Sequence, residues 1–394
     1  MVLALLLSGL FIFAVTHLNP VAVYQGMFEG AFGSERNTWV TIRDAMMLLC
    51  VGVGLAPALR CDSGTSAPTG QILVGGILTA GLMIHLGYTF STPILLCIMA
   101  LASIAAGALW GLIPAIFKAR WGTNETLFTL MMNYVAIQLT SYCVALWENP
   151  AGSNTVGIIN MQTRAGWFPK ILGQDCMLNV ILVMTLTVGM FLYLKYTKQG
   201  YEIAVVGESA NTARYAGIKL SRVYIRTMAI SGAICGLAGF IAVAGASHTI
   251  STSTAGGRGF TAIIVAWLAQ FNTFVMILIS FLLVFLQKGA IQIASQFNLN
   301  DYASNIITGI ILFFILGSEF FINYRIILRG PERRGPNERR PNCSADSVCY
   351  PVRHRHSVRR HGRDPDREIR QPEPGRPRDH VSGRYCGTGG LLLL

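Results

Sequence analysis

The chain has 394 residues, of which 52% are hydrophobic and only 13% are charged, and its formal net charge is +12. Because a soluble globular protein carries about 25% charged residues, this composition excludes an ordinary soluble enzyme or binding domain. Residues 1–330 contain 17 Lys+Arg against 11 Asp+Glu, and residues 331–394 contain 14 against 8. We therefore expect a transmembrane domain over 1–330 and a polar, basic, disordered tail over 331–394.

The apolar runs predict an all-α, polytopic membrane protein, since a spanning helix needs about 20 mainly apolar residues. The first run lacks a basic flank and a clear cleavage site, so we expect a retained span there and not a signal peptide. The run at 259–288 is too long for one span and is interrupted at Gln270-Phe271-Asn272, which predicts a short or re-entrant helix followed by another. The predicted spans are 1–16, 38–59, 70–89, 93–117, 125–147, 177–196, 226–247, 259–288 and 303–324.

The basic loops predict the orientation, because Lys and Arg mark the cytoplasmic side of a membrane protein. Lys118 and Arg120 follow the fourth span, and a larger basic group follows the sixth span in a loop at about 197–225. Both loops face the cytoplasm if the chain enters the membrane from inside, and 148–176 is then an external loop. Placing the basic residues that follow the last span inside as well requires about ten crossings, including the broken helix.

Small residues inside the spans indicate packing and not chemistry. None of the nine cysteines shows zinc-type C-x-x-C spacing, and a cysteine in an apolar helix behaves as a small hydrophobic residue. We therefore predict no metal and no other cofactor. Gly232 and Gly236 form a G-x-x-x-G pair, which lets helices approach closely, and we expect it to serve packing within one bundle.

The loop at about 197–225 carries the most specific pattern in the chain. Ser209 is a suitable N-cap for a short helix through Tyr215, and Gly217 can end that helix. A short amphipathic helix parallel to the membrane, with Arg214 exposed, would present a docking surface to a soluble partner.

Two segments resemble one family. Residues 200–218 are similar to the coupling segment of permeases in the bacterial ABC import family for ribose-like sugars and nucleosides, whose pattern is G-x-x-x-x-A-V-G-E-x-x-x-x-A-R-Y-A-G-I. Residues 257–266 resemble the G-x-G-F-x-A-I-x-V-A run that opens the broken helix near the translocation path in that family. The ATPase-coupling candidates on the first pattern are Gly200, Gly207, Glu208, Ala213, Arg214, Tyr215 and Gly217.

The resemblance covers about residues 1–330 and implies a multi-pass permease subunit of the bacterial cell (inner) membrane. It implies inward movement of nucleosides or related simple sugars, driven by a separate ABC ATPase subunit. It also implies a second homologous permease subunit and an extracytoplasmic substrate-binding lipoprotein, with membrane lipid around the spans. Because the chain has no G-x-x-x-x-G-K-[ST] phosphate loop, we expect no ATP hydrolysis and no catalytic residue on it.

Polar and aromatic residues inside the spans are candidates for the substrate pathway. The candidates are Asn133, Tyr134 and Gln138 on the fifth span, and Phe260, Thr261 and Trp267 on the broken helix. Tyr134 and Gln138 share a helix face, and the broken helix would offer hydroxyl and aromatic surfaces to a sugar or nucleobase. Interhelical packing or placement at the membrane interface is an equally good interpretation of each residue.

Two other classes of protein are alternatives to be weighed against the residues. A stand-alone secondary carrier of a small polar solute would need a coupling group in mid-span, whereas Asp44 and Glu125 lie close to the ends of predicted spans. A membrane-embedded enzyme would need a paired acid and base or a metal cluster at membrane depth. The sequence shows no such constellation of His, Asp and Glu.

Two segments depart from the family pattern. One choice of codons for residues 60–67, read two nucleotides later, gives Met-Arg-Phe-Trp-Asn-Ile-Gly, which restores the pattern and favours the nucleoside branch. We therefore hypothesise a compensated frameshift at 60–69. Codons for 357–375 shifted by one nucleotide resemble the opening of a second permease, so we hypothesise that 331–394 is out-of-frame translation into a neighbouring gene. A nucleic-acid or lipid-binding arm is the alternative, but acidic residues are mixed through the tail, and we predict no nucleic-acid partner.

Overall fold

The computed structural model describes residues 20–61, 68–150, 152–170, 176–296, 324–328 and 347–351, with single positions between 306 and 317. The chain divides into two compact units, Met1–Tyr350 and Pro351–Leu394, and all of the helices below belong to the first. The predicted span at 1–16, residues 62–67 of the hypothetical frameshift at 60–69 and nearly all of the 331–394 tail lie outside the described residues.

The described part of the chain is built from helices, with two short strands near its end. In chain order the helices are α1 (Pro20–Phe32), α2 (Glu35–Arg60), α3 (Pro68–Leu86), α4 (Thr92–Trp121), α5 (Glu125–Leu146), α6 (Met177–Tyr196), α7 (Lys198–Glu208), α8 (Ala210–Tyr215), α9 (Leu220–Phe240), α10 (Arg258–Leu268) and α11 (Thr273–Gln296). A π-helix over Ile241–Ser247 extends α9. The strands β1 (Tyr324–Leu328) and β2 (Ser347–Pro351) pair with each other.

Seven of the described helices are long and apolar enough to cross a membrane: α2, α3, α4, α5, α6, α9 with its π-helical extension, and α11. Each coincides with a predicted span or with the second half of the broken one, so the predicted helical, multi-pass architecture is confirmed. The expected count of about ten crossings is not confirmed. The first predicted span is not described, and the last, 303–324, is described only at isolated positions.

Local sequence explains where several spans begin and end. The Ser34 hydroxyl accepts a hydrogen bond from the Asn37 backbone N–H at 3.2 Å and caps α2. The Asn124 side chain accepts from the Leu127 N–H at 3.4 Å and caps α5, which satisfies donors that the first helical turn leaves free. Gly122 ends α4 in a left-handed conformation, with φ of 64°. Capping therefore limits the connection between α4 and α5 to a short turn.

The helix predicted to be broken is broken. Gln270 and Phe271, between α10 and α11, adopt left-handed conformations with φ of 48° and 60°, which are unfavourable for residues other than glycine. The 11 residues of α10 measure about 16 Å at 1.5 Å per residue, which is about half of a 30 Å hydrocarbon core. α11 has 24 residues and continues beyond its predicted end at 288.

Helix α9 packs on α4 and α3 almost backbone to backbone. A Cβ built on Gly107 of α4 would overlap the Gly232 carbonyl oxygen, and a Cβ built on Gly236 would overlap the Ser103 carbonyl oxygen. The Ser103 hydroxyl in turn donates to the Gly236 carbonyl. On the α3 side, a Cβ on Gly239 would overlap the carbonyl oxygen of Ile72. We call these contacts the glycine seam, and they confirm the close approach predicted from the G-x-x-x-G pair.

The two ends of the bundle carry different loops. The turn between α4 and α5 meets the start of α9, where the Ser221 hydroxyl donates to the Ala119 carbonyl at 3.4 Å. Loop 152–170 meets the other end, where the Ile159 N–H donates to the His248 carbonyl at 2.9 Å and the Trp167 ring stacks on His248 at 3.9 Å. The two basic loops therefore share one end of the bundle, which the predicted orientation requires, and the positive-inside rule predicts that this end is cytoplasmic.

Helix α1 is a feature that the sequence does not predict. Its 13 residues are too few to span a membrane, and it packs on the far half of α11. A Cβ on Gly289 would contact the Met27 side chain at 2.7 Å, and a Cβ on Gly30 would contact Gln292 Cβ at 2.5 Å. Glycines on both helices thus allow α1 to lie directly against α11.

Candidate functional site

Two short helices follow α6 in the loop that carries the family-like segment. The Thr197 hydroxyl accepts from the Gly200 N–H at 3.1 Å and starts α7, and the Ser209 hydroxyl accepts from the Thr212 N–H at 3.3 Å and starts α8. Gly217 lies just beyond α8 with φ of 76°, which glycine adopts at little cost. The capped helix predicted at α8 is confirmed, whereas α7 is a helix that the sequence does not predict.

Helix α7 is fastened to the bundle by close packing and by one ion pair. Val206 is buried, and a Cβ built on Gly207 would overlap the carbonyl oxygen of Arg60 at the end of α2. Glu202 of α7 accepts a hydrogen bond from the Arg226 guanidinium of α9 at 2.9 Å. Helix α7 is therefore joined to α2 by a backbone contact and to α9 by charge.

The outer side of these helices exposes charged and aromatic side chains. Tyr215 exposes 93% of its surface, and Glu208 and Arg214 are also exposed. Exposed tyrosine and arginine side chains are typical of the residues that dominate protein–protein interfaces. We call Glu208, Arg214 and Tyr215 the docking face. Of the other coupling candidates, Gly217 lies beside this face, and Gly200, Gly207 and Ala213 pack beneath it.

The turn between α4 and α5 is fixed to the same helix as α7. Lys118 forms an ion pair with the buried carboxylate of Glu125 across the turn, and its Nζ lies 4.3 Å from the centroid of the Tyr224 ring of α9. Burial of Glu125 is tolerable because a cation neutralises it, and the ring adds a cation–π contact. Helix α9 thus receives contacts from both basic loops.

A cleft of about 610 Å³ lies between α7 and the break of the broken helix. Gly200 and Tyr201 line one side, and residues 270–273 line the other; Arg60 and Lys195 make its wall basic. The two family-like segments therefore belong to elements that meet at the end of the bundle that carries the basic loops. The break in the helix lies at that end, and the first residue of α10 lies deeper in the membrane.

The six pathway candidates do not form one site. Asn133 is buried and accepts from the Gly70 N–H at 2.7 Å, so its amide serves packing between α5 and α3. Tyr134 and Gln138 are exposed on the outer face of α5. On α10, Phe260 and Trp267 are exposed, and Thr261 is partly exposed and lines a small cavity.

A cluster of charged side chains at membrane depth is a feature that the sequence analysis missed. Asp44 of α2 is buried, and its Oδ2 lies 2.7 Å from Lys288 Nζ of α11. Its Oδ1 lies 3.5 Å from the Arg258 guanidinium of α10 and 3.5 Å from Arg43 Nε. Placing Asp44 close to the end of a span was wrong, because α2 begins at Glu35 and Asp44 is nine residues inside it.

Comparison with known proteins decides the family. The family model for the permease component of the branched-chain amino acid transport system matches residues 67–316, which is more than half of the chain. The chain belongs to this permease family. Its members are membrane subunits of ABC transporters that work with an ATPase and a substrate-binding partner and are generally not enzymes themselves, so the permease is a multi-pass protein of the cell membrane.

Several curated relatives are similar to the permease over most of their length. It is 28% identical to the guanosine ABC transporter permease protein NupP of Bacillus subtilis, over 84% of this chain and 95% of that protein. It is 27% identical to the glucose ABC transporter permease protein TsgB13 of Haloferax volcanii, over 82% and 88%. It is 25% identical to the nucleoside ABC transporter permease protein NupB of Lactococcus lactis, over 78% and 87%. No solved structure matches the permease.

Proposed function

We propose that the permease moves nucleosides or related simple sugars inward and that its docking face binds a separate ATPase subunit. The substrate class is supported by relatives that are named for guanosine, nucleosides and glucose. The observation that carries the docking proposal is the 93% exposure of Tyr215 on helices that are themselves fastened to the bundle. An exposed aromatic side chain on a fixed support is suited to anchor a soluble partner.

Energy coupling in this proposal is mechanical. A displacement of α7 passes to α2 through Gly207 and to α9 through the Glu202–Arg226 pair. Since the glycine seam holds α9 against α4 and α3, these helices move together and not one at a time. The cleft between α7 and the break at 270–272 lies where such a movement would change the cytoplasmic opening.

Two further partners complete the proposed transporter. A second homologous permease would pair with this one, and an extracytoplasmic substrate-binding lipoprotein would deliver substrate. Loop 152–170 lies at the end of the bundle opposite the docking face and is held there by the Trp167–His248 stack. That loop is therefore the part of the described chain that the lipoprotein would meet.

The docking proposal is tested by co-purification with the ATPase and by coupled ATP hydrolysis. Tyr215→Ala is expected to weaken ATPase binding by at least about tenfold, since a hot-spot residue contributes about 2 kcal/mol or more. Arg214→Glu, which reverses one charge of the face, should act in the same direction. Tyr142→Ala is the matched control, because Tyr142 is 68% exposed on α5, away from this face. Normal binding and normal coupled hydrolysis in both docking variants would show the assignment to be wrong.

The transport proposal is tested separately, by uptake into vesicles that contain the whole transporter. We expect guanosine or glucose to accumulate only when ATP, the ATPase and the binding protein are all present. ATP-independent accumulation by this permease alone would instead support the stand-alone secondary carrier. A transporter that imports neither solute would contradict the proposed substrate class.

A further inference from the structure

We propose that Asp44, Arg258 and Lys288 form a binding site, in the middle and outer part of the membrane, for the hydroxyl groups of a polyhydroxylated substrate. This inference rests on the proposed function and adds to it the part of the substrate that is recognised and the residues that recognise it. Four observations support the site: the depth of the cluster in the membrane, the non-helical backbone that leads into the cluster, the excess of positive charge and the polar cavity that the cluster lines.

The depth of the cluster follows from helix lengths. Arg258 is the first residue of α10, about 15 Å from the break at the cytoplasmic end. Asp44 precedes Arg60, at the cytoplasmic end of α2, by about 24 Å of helix, and Lys288 follows the start of α11 by about 22 Å. In a hydrocarbon core of about 30 Å, these charges lie in the middle and outer part of the membrane.

The backbone that leads into the cluster is not helical. The chain leaves the π-helix at the outer end of α9 and reaches Arg258 through turns over 251–257, whose hydrogen bonds are local. Non-helical backbone at membrane depth occurs where it is buried in protein or lines a water-filled cavity. Here Gly256 lines a cavity together with Arg258 and Thr261, so the turns surround a polar opening. In secondary transporters, substrate sites lie near the midplane at the ends of such discontinuous helices.

Among the residues that the structure describes, the charges of the cluster do not balance. One carboxylate, that of Asp44, faces the three cations of Arg43, Arg258 and Lys288. Only the contact with Lys288, at 2.7 Å, is short, and the two arginine contacts are at 3.5 Å, beyond the usual hydrogen-bond length. An arginine has five N–H donors and a lysine has three, so the cluster offers more donors than one carboxylate accepts. Charged groups at this depth are costly unless they have polar partners.

The cavity beside the cluster fits a set of hydroxyl groups. It measures about 120 Å³ and is lined by Asp44, Arg258 and Lys288, together with the polar side chains of Thr261 and Gln287. At about 30 Å³ per water, it has room for a few water molecules or for the hydroxylated edge of a sugar ring. A hydroxyl group both donates and accepts, so it can donate to the Asp44 carboxylate and accept from Arg258 or Lys288. Nucleosides and simple sugars share such hydroxyl groups, whatever else distinguishes them.

The test compares substrates that differ only in hydroxyl groups. The complete transporter is reconstituted in vesicles, and kcat/KM for uptake is measured for guanosine against 2′,3′-dideoxyguanosine and for glucose against 2-deoxyglucose. The variant is Lys288→Met, which keeps the unbranched side chain except for its terminal amino group and so removes its charge. We expect it to lower the preference for the hydroxylated member of the transported pair at least about tenfold, which corresponds to a loss of about 1.4 kcal/mol. Because the same binding protein serves both transporters, its own preference cancels in the comparison.

Three further variants separate binding from folding. Lys288→Arg keeps a cationic donor and should retain most of the preference. Arg36→Met removes an exposed charge from the start of the same helix as Asp44 and should change nothing. If Lys288→Met does not assemble, Thr261→Val removes a single hydroxyl group from the cavity wall, and it should weaken the same preference.

The outcomes are distinct. If Lys288→Met and Thr261→Val reduce uptake of both members of a pair by the same factor, the cluster only ties α2, α10 and α11 together and the inference is wrong. Unchanged uptake and unchanged preference in both variants would also overturn it. If the unmodified transporter imports none of the four solutes, the proposed function fails, and this inference fails with it.

Discussion

Glycine at the contact between α4 and α9 sets how closely the two helices approach. Gly107 faces the Gly232 carbonyl without any space for a methyl group, so Gly107→Ala must push the helices apart. Overpacking of this kind costs about 1–3 kcal/mol, and we expect a lower midpoint of thermal unfolding in detergent. Gly189→Ala in α6 is the control, because nothing lies within 4 Å of a Cβ built there. An unchanged midpoint for Gly107→Ala would mean that α4 and α9 lie far enough apart at Gly107 to accommodate a methyl group.

The cap of α8 is a second test at the residue scale. Ser209→Ala removes the hydroxyl that accepts from the Thr212 N–H, and the loss of an N-cap costs about 1 kcal/mol. Because α8 is short, we expect its amide hydrogens to exchange about fivefold faster. Thr212→Ala retains the backbone donor and should leave exchange nearly unchanged. Equal exchange rates in the two variants would contradict the capping role.

Residues that act through local chemistry could be predicted from the sequence, and residues that act through distant partners could not. The Ser209 cap and the ending of α8 near Gly217 depend on neighbours in the chain, and both are confirmed. The Asp44 cluster joins residues from three helices that are far apart in sequence, so no local pattern indicates it. The available signal was that the basic residues Arg258 and Lys288 flank the two ends of the long apolar run. Asn133 illustrates the converse error. A polar side chain within a span suggested a substrate contact, but its amide binds the backbone of a neighbouring helix instead.

At the scale of elements, the length of an apolar run and any interruption within it determine which helices the sequence predicts. The polar residues Gln270 and Asn272 inside a long apolar run predicted the break between α10 and α11, and the structure confirms it. Helices α1 and α7 were missed because 13 and 11 residues are too short to give a membrane-spanning signal. Their stability depends on packing against α11 and α2, which no local pattern shows.

The attachment of α7 to α9 gives a prediction at this scale. Glu202→Gln removes the charge that pairs with Arg226. Because the two side chains are about one-quarter and one-fifth exposed, solvent screening limits the loss of stability to at most about 1 kcal/mol. We expect ATPase binding to persist while substrate uptake per ATP hydrolysed falls about twofold or more.

The double variant separates the pair from its members. Glu202→Gln with Arg226→Met leaves no unpaired charge, so stability should recover towards that of the unmodified permease while the uptake per ATP stays low. A normal ratio of uptake to hydrolysis in both variants would argue that α7 transmits movement through Gly207 alone.

At the scale of the whole molecule, the positions of the basic loops predicted which loops share an end of the bundle, and the contacts of α9 agree with that arrangement. The number of crossings is not confirmed, because the first predicted span lies outside the described residues and the last is described only at isolated positions. The class of protein followed from two short motifs more than from composition, since many membrane proteins share the composition.

Removal of the tail over 331–394 is a test at the scale of the whole chain. If residues 331–394 are out-of-frame translation, a chain that ends at residue 330 should reach the membrane and bind the ATPase as the full chain does. Uptake should also be unchanged, because the described helices end before the tail begins. Loss of ATPase binding on truncation would show that the tail is part of the working protein, whatever its origin.

The glycine seam also limits how the sequence can change over generations. Glycines of α9 face backbone carbonyls of α4 and α3. Any larger side chain at one of these positions would overlap a main-chain atom, which cannot rotate away as a side chain could. On the outer face of α5, Tyr134 and Val135 are exposed, so a change of side-chain size there meets no main-chain atom of the described helices. We therefore expect descendants of one ancestor to differ freely along α5 and hardly at all along the seam. The residues of the seam should therefore stay the same between distant relatives after the residues that contact the substrate have changed.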